Sequence, residues 1–359
     1  KRQDIDIVTT EPPQSVNTRI RKIASEMIDE GMKKTSFFYR GKRVDIRFAD
    51  PSEFGATLLY LTGSKEFNIR LRERAIAREM QLNEYGLLNK MNGEMTRCAT
   101  EDEVFSLLGL HFIPPELRED RGEVAAAEAG TLPILIERSD IRGDLHAHTR
   151  GSDGSLSVDE LAAIGDARGY EYILCSDHSA SLGVARGLTP EGIREQAHEI
   201  EIANRNHDCR ILAGIEVDIM TDGSLGLPDS VLADLDIVIA SVHSSLHQEG
   251  DQITRRVITA IENEHVDIIG HPTGRLIGRR EPSAIDIPRI LEAAKESGVA
   301  VELNASPYRL DLDDIYLKTA KELGVKISIG TDSHGPGDFD AMRYGVTTAR
   351  RGWCGAADI

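Results

Sequence analysis

The sequence predicts an α/β protein whose C-terminal part, from residue 141 onward, forms a closed or nearly closed (β/α) barrel. Short β-rich runs alternate there with stretches whose apolar residues recur at helical spacing, which is typical of parallel strands covered by helices. Seven such units occupy about 220 residues, close to the ~250 residues of the eight-stranded barrel. The residues before this part differ in charge, which indicates a separate module.

Charge divides the chain into an approximately neutral part and an acidic part. The 359 residues carry a formal net charge of −18: residues 1–118 contain 19 Lys+Arg and 18 Asp+Glu, whereas 119–359 contain 23 and 42. The segment 119–139, with charged residues and three consecutive alanines, predicts a linker or an exposed connecting helix. The acidic total argues against a generic basic surface that wraps DNA. Divalent ions bound in the acidic part would nevertheless reverse the field that a phosphate meets.

The composition is that of a folded protein without a membrane segment. Hydrophobic residues make up 40% of the chain, enough for real cores. The sequence contains no run of ~18 apolar residues and no signal-peptide pattern. Its four cysteines form no Cys-x-x-Cys pair, which favours a reducing compartment. The sequence therefore predicts a cytoplasmic protein with no membrane partner.

Residues of the metal-ligand type follow the predicted strands of the second module. The predicted strands are Gly143–His148, Tyr172–His178, Arg210–Asp218, Ile237–His243, Val266–His271, Val299–Asn304 and Lys326–His334. The candidate ligands are His146, His148, Asp153, His178, Glu216, His243, His271, Asp332 and His334. Six of the 11 histidines belong to this set. A lone buried histidine is more often structural than a ligand, but six histidines together with three carboxylates at or after strand ends favour a metal site.

The spacing of these residues favours one shared site. Residues i and i+2 of a strand point to the same side, so His146 with His148, and Asp332 with His334, are predicted to be paired ligands. The C-terminal ends of parallel strands meet at one mouth of a barrel, where such folds carry their active sites. We therefore expect the nine side chains to converge there.

Nine nitrogen and oxygen ligands are too many for one ion, because a catalytic zinc uses about three protein ligands. Two or three ions that share carboxylates fit better, and imidazole with carboxylate favours zinc, manganese or iron over magnesium or calcium. Closely spaced ions activate water and bind phosphoryl oxygens in phosphatases and nucleases. The sequence therefore predicts phosphoester hydrolysis.

The motifs of the second module together resemble the polymerase and histidinol phosphatase (PHP) domain, over nearly all of 140–359. They are Asp-Leu-His-Ala-His at 144–148, Ser-Asp-Gly at 152–154, Ser-Asp-His-Ser at 176–179, Gly-Ile-Glu at 214–216, Ser-Val-His at 241–243, Gly-His-Pro at 270–272 and Thr-Asp-Ser-His at 331–334. The resemblance implies a distorted (β/α)7 barrel with a trinuclear metal site whose ligands are the nine residues above. None of the nine is replaced, which argues against a degenerate, purely structural domain.

Two segments, 270–280 and 302–311, resemble the PHP domain that is fused to bacterial and archaeal family X DNA polymerases. This resemblance places arginines on loops near the site: Arg275, Arg279, Arg280 and Arg309. Arginine suits phosphate because a guanidinium binds two phosphate oxygens at once. Arg275 and Arg309 are taken as the candidate DNA-binding residues. The alternative is that the arginines are solvated or pair with acids such as Glu281 and Asp311.

The first module contains three aspartates that suit metal-dependent nucleotidyl transfer. Asp4 and Asp6 share one face of a predicted strand, and Asp45 lies on another, at 42–48. Three carboxylates on adjacent strands can hold two Mg²⁺ ions for in-line transfer. Alone, an Asp-x-Asp pattern is weak and usually marks a solvated strand edge.

The segments 59–72 and 83–87 resemble the palm-to-thumb junction of family X polymerases, the DNA polymerase beta class. The resemblance implies that Asp4 and Asp6 bind both metals, and that Asp45 binds the catalytic one and helps to activate the primer 3′-OH. It also implies nucleotide or DNA contacts: Tyr60 and Gly63 at the nucleotide sugar, and Asn68 and Arg72 at the nascent pair and template. The family usually has an aromatic residue in place of Leu61. It also carries a phosphate-binding helix and a fingers region upstream, so the start of this chain is expected to be a truncation.

These resemblances imply the C-terminal part of a family X DNA polymerase, with palm over 1–55, thumb over 56–118, linker over 119–139 and PHP domain over 140–359. The parent is expected to be a monomer that fills short gaps during DNA repair, with DNA and dNTP as partners. The PHP domain is expected to be a 3′–5′ exonuclease that uses up to three Mn²⁺ or Zn²⁺ ions. The same site is expected to trim blocked 3′ ends. One alternative function is a small-molecule phosphatase of the histidinol-phosphate type. The other is a non-catalytic module in which the metals only stabilise the barrel and the thumb binds DNA.

Overall fold

The chain divides between Leu132 and Pro133 into two units, each with its own core. A computed structural model describes residues 4–182 and 185–359. Residues 1–3 of the predicted palm segment therefore lie outside the described residues.

The first unit begins with a four-stranded sheet in the order β1-β4-β3-β2. Strand β1 runs parallel to β4, and the other neighbours are antiparallel. Helix α1 supplies Ile20 to a small core that also contains Phe37, Val44 and Ile46. The elements are β1 (Asp4–Thr9), α1 (Pro13–Ile20), β2 (Glu26–Glu30), β3 (Lys34–Tyr39) and β4 (Lys42–Phe48).

The rest of the first unit combines helices with a small antiparallel sheet, in the order β5-β6-β7. Phe67 and Phe105 are fully buried in its interior. A Cβ at Gly55 would lie 2.0 Å from the carbonyl carbon of Thr100, so glycine is what permits this close approach. The elements are α2 (Phe54–Leu61), α3 (Lys65–Ala77), β5 (Met80–Asn83), β6 (Gly86–Asn89), β7 (Met95–Arg97), α4 (Glu101–Leu107) and α5 (Glu123–Ala129).

The segment 119–139 is less exposed than the sequence predicts. Ala127 of α5 is fully buried, and Ile136 belongs to the core of the second unit. Glu123 is also buried, because its carboxylate accepts the backbone N–H groups of Asp120 and Arg121 at 2.8 and 2.7 Å. Ala127 packs because it is small, and a buried carboxylate that is hydrogen-bonded in this way is tolerated.

The described part of the second unit confirms the predicted barrel. Seven parallel strands lie in the order β8-β9-β10-β11-β12-β13-β14. Ala147 pairs with Ser333, and the His148 N–H donates to the Ser333 carbonyl at 2.8 Å, so the last strand segment returns to the first. The strands are β8 (Gly143–Ala147), β9 (Tyr172–Cys175), β10 (Arg210–Asp218), β11 (Ile237–Ser241), β12 (Ile268–Ile269), β13 (Ala300–Asn304) and β14 (Ile327–Gly330).

Helices cover the strands and bury their apolar faces against them. Ile253 and Val257 of α9 and Ile290 of α10 pack with Ile215 and Val217 of β10 in one hydrophobic core. The helices are α6 (Val158–Arg168), α7 (Pro190–Asn206), α8 (Asp229–Leu232), α9 (Gly250–Ile261), α10 (Ile287–Ser297), α11 (Asp314–Leu323) and α12 (Met342–Arg351). Among the described residues, helices that combine the length and the apolarity needed to cross a membrane are absent.

Removing Ile290 from this core tests the barrel. Ile290 is fully buried, so Ile290→Ala is expected to lower the free energy of unfolding by about 2–5 kcal/mol through lost burial and the cavity left behind. Urea unfolding followed by fluorescence measures this, because the single tryptophan of the chain, Trp353, lies in the barrel unit. The control is Ile315→Ala on α11, where 55% exposure predicts a change within about 0.5 kcal/mol. Equal shifts in both variants would contradict the assigned core.

Candidate metal centre

The structure brings the nine predicted ligands together at the C-terminal ends of the strands. His146 lies within β8 and Glu216 within β10, whereas the others lie in the segments that follow β8, β9, β11, β12 and β14. They fall into sets whose ligand atoms are all within 4.8 Å of one another, and His271 joins through its Nε2, 2.9 Å from Glu216 Oε1. The sets are His148, Asp153, His178 and His334; His146, His148 and Asp332; and His178, Glu216 and His243.

The predicted reason for pairing Asp332 with His334 is wrong, although the two do lie close together. Strand β14 ends at Gly330, so strand alternation does not place them. Instead, Asp332 has a φ of 55° and turns the chain, and the His334 imidazole Nδ1 lies 2.9 Å from the Asp332 carbonyl oxygen. His271 also has a positive φ, of 25°. Such backbone angles are costly for residues with side chains and persist only where the surroundings impose them.

Glu216 lies at the centre of the cluster. Its carboxylate oxygens are 3.0 Å from His178 Nδ1, 3.3 Å from His243 Nε2 and 3.4 Å from His146 Nε2. The Glu216 side chain is 1% exposed. One buried carboxylate therefore faces imidazoles from several strands.

Buried polar atoms without hydrogen bonds are concentrated here, within the part of the chain that the structure describes. They include both carboxylate oxygens of Glu216, both ring nitrogens of His148 and Nε2 of His146. Leaving such an atom unsatisfied costs about 1–3 kcal/mol. Nitrogen and oxygen atoms in this arrangement fit ligation of divalent metal ions.

Two carboxylates that the sequence reasoning did not select hold the imidazoles in place. Glu302 on β13 lies 2.6 Å from His146 Nδ1 and accepts the backbone N–H of His271 at 2.6 Å. Asp218, two residues after Glu216 on β10, lies 2.8 Å from His243 Nδ1. Such outer carboxylates orient metal-binding histidines. The sequence did contain a signal for each residue. Glu302 is an acid inside the one predicted strand that has no candidate ligand, and Asp218 lies at i+2 from Glu216, on the same face of its strand.

A further aspartate ties together the segments that carry ligands. Buried Asp144 accepts hydrogen bonds from the Thr331 hydroxyl at 2.6 Å and from the backbone N–H groups of Thr331 and His146. Burial raises the pKa of Asp144 to about 6, against the opposing effect of these hydrogen bonds. Asp144 thereby joins β8 to the segment that leads to Asp332.

The carboxylates set the protonation of the imidazoles. Burial by itself disfavours the charged form of His243, but Glu216 and Asp218 outweigh it and raise its pKa to about 10. Likewise, burial opposes the charging of His334, yet Asp153 and Asp332 raise its pKa to about 9. The field that favours a proton on these rings also favours a metal cation, and metal binding displaces such protons.

The two candidate phosphate arginines differ in position. Arg309 reaches the cluster, where its Nε lies 3.2 Å from Asp332 Oδ2. Arg275 donates to the carbonyls of Arg309 and Leu310 and lies 3.3 Å from Asp313. Arg275 therefore braces the loop that carries Arg309. This agrees with the alternative that the arginine pairs with an acid, but the acid is Asp313 and not Glu281 or Asp311.

In the first unit, the structure places the three aspartates on neighbouring strands. Asp6 on β1 is the register partner of Asp45 on β4. Asp4 and Asp6 are exposed, whereas Asp45 is buried and lies 3.0 Å from the Lys34 amine and 3.3 Å from Arg43 Nε. Burial would raise the pKa of Asp45, but hydrogen bonds from Ser36 and these two cations lower it below its usual range. Their metal-binding roles stay predictions.

The four other residues predicted to contact nucleotide or DNA lie on α2, on α3 and in the turn between them. The Arg72 guanidinium lies 5.7 Å from the ring centre of exposed Tyr60. Gly63 has a φ of 92°, and a Cβ there would lie 2.8 Å from Arg118 Cβ. The Asn68 amide donates to the Ser64 carbonyl at 3.1 Å. Gly63 and Asn68 therefore shape the turn, while Tyr60 and Arg72 form an accessible pair.

Comparison with known proteins finds a match to a described family within each unit. Residues 57–119 match the DNA polymerase beta thumb, and residues 144–306 match the PHP domain. The chain is 43% identical over 358 residues to a Bacillus subtilis (strain 168) protein named DNA polymerase/3′-5′ exonuclease PolX, and the match covers 98% of this chain and 62% of that protein.

Proteins named as probable phosphatases are also similar. One from Thermoanaerobacter sp. (strain X514) is 37% identical over 213 residues, 56% of this chain and 81% of that protein. One from Caldanaerobacter subterraneus subsp. tengcongensis is 34% identical over 202 residues, 53% of this chain and 75% of that protein.

The two family matches follow one another along the chain. The thumb match precedes the PHP match, and the similarity to the Bacillus protein extends over both. The chain spans less than two thirds of the length of that relative. The chain belongs to the PHP-domain proteins and carries a DNA polymerase beta-type thumb ahead of that domain.

Proposed function

We propose that the second unit hydrolyses phosphodiester bonds at a DNA 3′ end, as a 3′–5′ exonuclease within a DNA repair polymerase. The observation that carries this proposal is the cluster of nine imidazole and carboxylate side chains, several of whose buried atoms lack hydrogen bonds in the described structure. The similarity to the Bacillus protein, which is named for both activities, supports the same function.

The ligand set suits up to three divalent ions, with Mn²⁺ or Zn²⁺ preferred because imidazole nitrogens dominate. The three ligand sets overlap in His148 and His178, and since a neutral imidazole binds a single ion, each of these rings would serve one ion while carboxylates such as Glu216 would be shared. Bound ions of this kind act as Lewis acids on a phosphoryl oxygen and neutralise the charge of the phosphate.

The residues around the cluster prepare it for a phosphate. Glu302 and Asp218 hold the rings of His146 and His243, so their other nitrogens face the interior of the cluster. Arg309, beside Asp332, brings a guanidinium with a buried Nη1 that has no hydrogen-bond partner within the described residues. A planar guanidinium with a free N–H is suited to a phosphate oxygen.

We propose for the first unit the role that its resemblance to the family X polymerases implies. Asp4, Asp6 and Asp45 would hold two Mg²⁺ ions at the palm, and Tyr60, Gly63, Asn68 and Arg72 would contact dNTP and template. The pairing of Asp6 with Asp45 across β1 and β4 supports this, since it brings the carboxylates onto neighbouring strands. In this proposal residues 1–55 are palm, 56–118 thumb, 119–139 the connection and 140–359 the PHP domain, and the polymerase fills short gaps as a monomer.

The rival function is hydrolysis of a small phosphate ester. The similarity to probable phosphatases over 56% of this chain favours it, because those proteins share enough sequence for a comparable fold. The thumb match at 57–119 favours DNA, since a small-molecule phosphatase has no use for a thumb.

Loss of a central ligand is expected to abolish nuclease activity. His243→Ala and Asp332→Ala each remove a group from the ligand sets, so Mn²⁺-dependent shortening of 3′-labelled single-stranded DNA should fall at least about 100-fold. Gel analysis of the products measures this. The control is His198→Ala, an exposed histidine on α7 outside the cluster, which should retain full activity. Full activity in the His243 and Asp332 variants would show that the site lies elsewhere.

Loss of an outer carboxylate is expected to weaken metal binding without removing a ligand. Asp218→Asn keeps the size of the side chain but removes the charge that orients His243, which should lower metal affinity by about 10–100-fold. Elemental analysis after dialysis against graded chelator concentrations measures this. Asp222→Asn is the matched control, since Asp222 lies on the following loop and bonds only to Ser224 among the hydrogen bonds described. Identical metal retention in both variants would remove the assigned role of Asp218.

The palm assignment predicts a separate effect on synthesis. In a chimaera with the fingers region and phosphate-binding helix of a family X polymerase placed ahead of Asp4, Asp45→Ala should abolish filling of a short gap because one of three metal-binding carboxylates is lost. Primer extension on gapped DNA measures this, and Asp50→Ala, at an exposed aspartate just after β4, is the control. Equal gap filling by both variants would show that Asp45 has no part in synthesis.

A further inference from the structure

A groove of about 500 Å³ leads from the metal-ligand cluster over the surface of the barrel unit. Its inner end is lined by Asp332, His334 and Arg309, and its outer part includes Tyr308 and Tyr344. The volume lies within the range of ligand-binding pockets. The groove therefore continues the proposed hydrolytic site into a region whose occupant the proposed function leaves open.

The first aromatic group of the groove is Tyr308, which is 60% exposed. The Arg279 guanidinium lies 5.6 Å from the centre of its ring. The loop is held rather than loose, because the Ile277 N–H donates to the Tyr308 carbonyl at 2.7 Å and Leu276 pairs with Arg280. An exposed ring in a fixed position beside a cation is suited to a flat, electron-rich partner.

The second aromatic group is Tyr344 in the first turn of α12, which is 39% exposed. The Arg343 guanidinium lies 4.7 Å from its ring centre. The acids on this side have partners: Asp340 bonds to Arg168 at 2.9 Å, and Asp338 accepts the His334 N–H at 3.1 Å. The groove thus presents two pairs, each of a tyrosine and an arginine.

We propose that these two pairs stack the terminal bases of the DNA 3′ end that the neighbouring site hydrolyses, and so favour a nucleic acid over a phosphodiester that has no bases. Stacking on aromatic rings and contacts from arginine are the common means of binding single strands without sequence preference. A strand whose bases stack in the groove directs its terminal phosphodiester toward Arg309 and the ligand cluster. A small phosphate ester has no base for either ring. This inference rests on the proposed function.

The test compares a short single-stranded oligodeoxynucleotide with bis(p-nitrophenyl) phosphate, a diester without bases, using the full chain and Mn²⁺. Tyr308→Ala and Tyr344→Ala are each expected to lower the ratio of kcat/KM for the oligonucleotide to kcat/KM for the small diester about tenfold, or about 1.4 kcal/mol. Tyr308→Phe and Tyr344→Phe keep the ring and should retain most of the ratio. The control is Ile315→Ala, an exposed apolar residue on α11 outside the groove.

A second substrate separates stacking from a structural effect. An oligonucleotide with abasic sugars at its 3′ end should be a poorer substrate for the unaltered chain, and the alanine variants should lose nothing further on it. Equal use of normal and abasic ends by the unaltered chain would contradict stacking. An unchanged substrate ratio in both alanine variants would also contradict stacking. If these variants still hydrolyse the oligonucleotide normally, the proposed function is unaffected by that result. Hydrolysis of neither substrate by the unaltered chain would instead contradict the proposed function itself.

Discussion

The C-terminal mouth of the barrel depends on one buried carboxylate, Glu216, surrounded by imidazoles from other strands. A charge in this position is unfavourable unless opposite charges compensate it. A proton on His243, 3.3 Å from Glu216, offers part of that compensation, and divalent cations would offer more. The strand ends therefore surround a carboxylate whose negative charge requires positive charge nearby. The outer carboxylates Glu302 and Asp218 fix the orientation of the His146 and His243 rings toward it.

Much of the barrel could be predicted from the sequence because its signals are local. Alternation of β-rich and helical runs indicated seven parallel strands, and histidines after those strands indicated the convergent site. The reason offered for Asp332 and His334 was wrong, because β14 ends at Gly330 and a left-handed turn, not strand alternation, brings them together. The direction of a side chain in a loop depends on tertiary contacts, which cannot be predicted from the spacing of residues along the chain.

Other features could not be predicted for the same reason. Glu302 and Asp218 are two among 60 Asp and Glu residues, and although their positions on predicted strands were a signal, only their contacts with the ring nitrogens of His146 and His243 show their role. The segment 119–139 has the composition of a connection, yet the hydrogen bonds to Glu123 make part of it core. Arg275 likewise has the residue type of a phosphate ligand but is occupied with the backbone of a neighbouring loop. In each case the deciding fact is which group lies nearby in the folded chain.

The closure of the barrel has a consequence for how the protein is made. Asp144 and Thr331 are joined across 187 residues of sequence, and Ala147 pairs with Ser333 at the same place. Bringing together groups so far apart along the chain is entropically costly until the intervening elements have folded. Asp332 lies in the segment that makes this closure, so a nascent chain whose last strand is still inside the ribosome has neither a closed barrel nor a complete ligand cluster. The hydrolysis proposed for this site therefore requires the last strand, which is synthesised after the whole of the first unit.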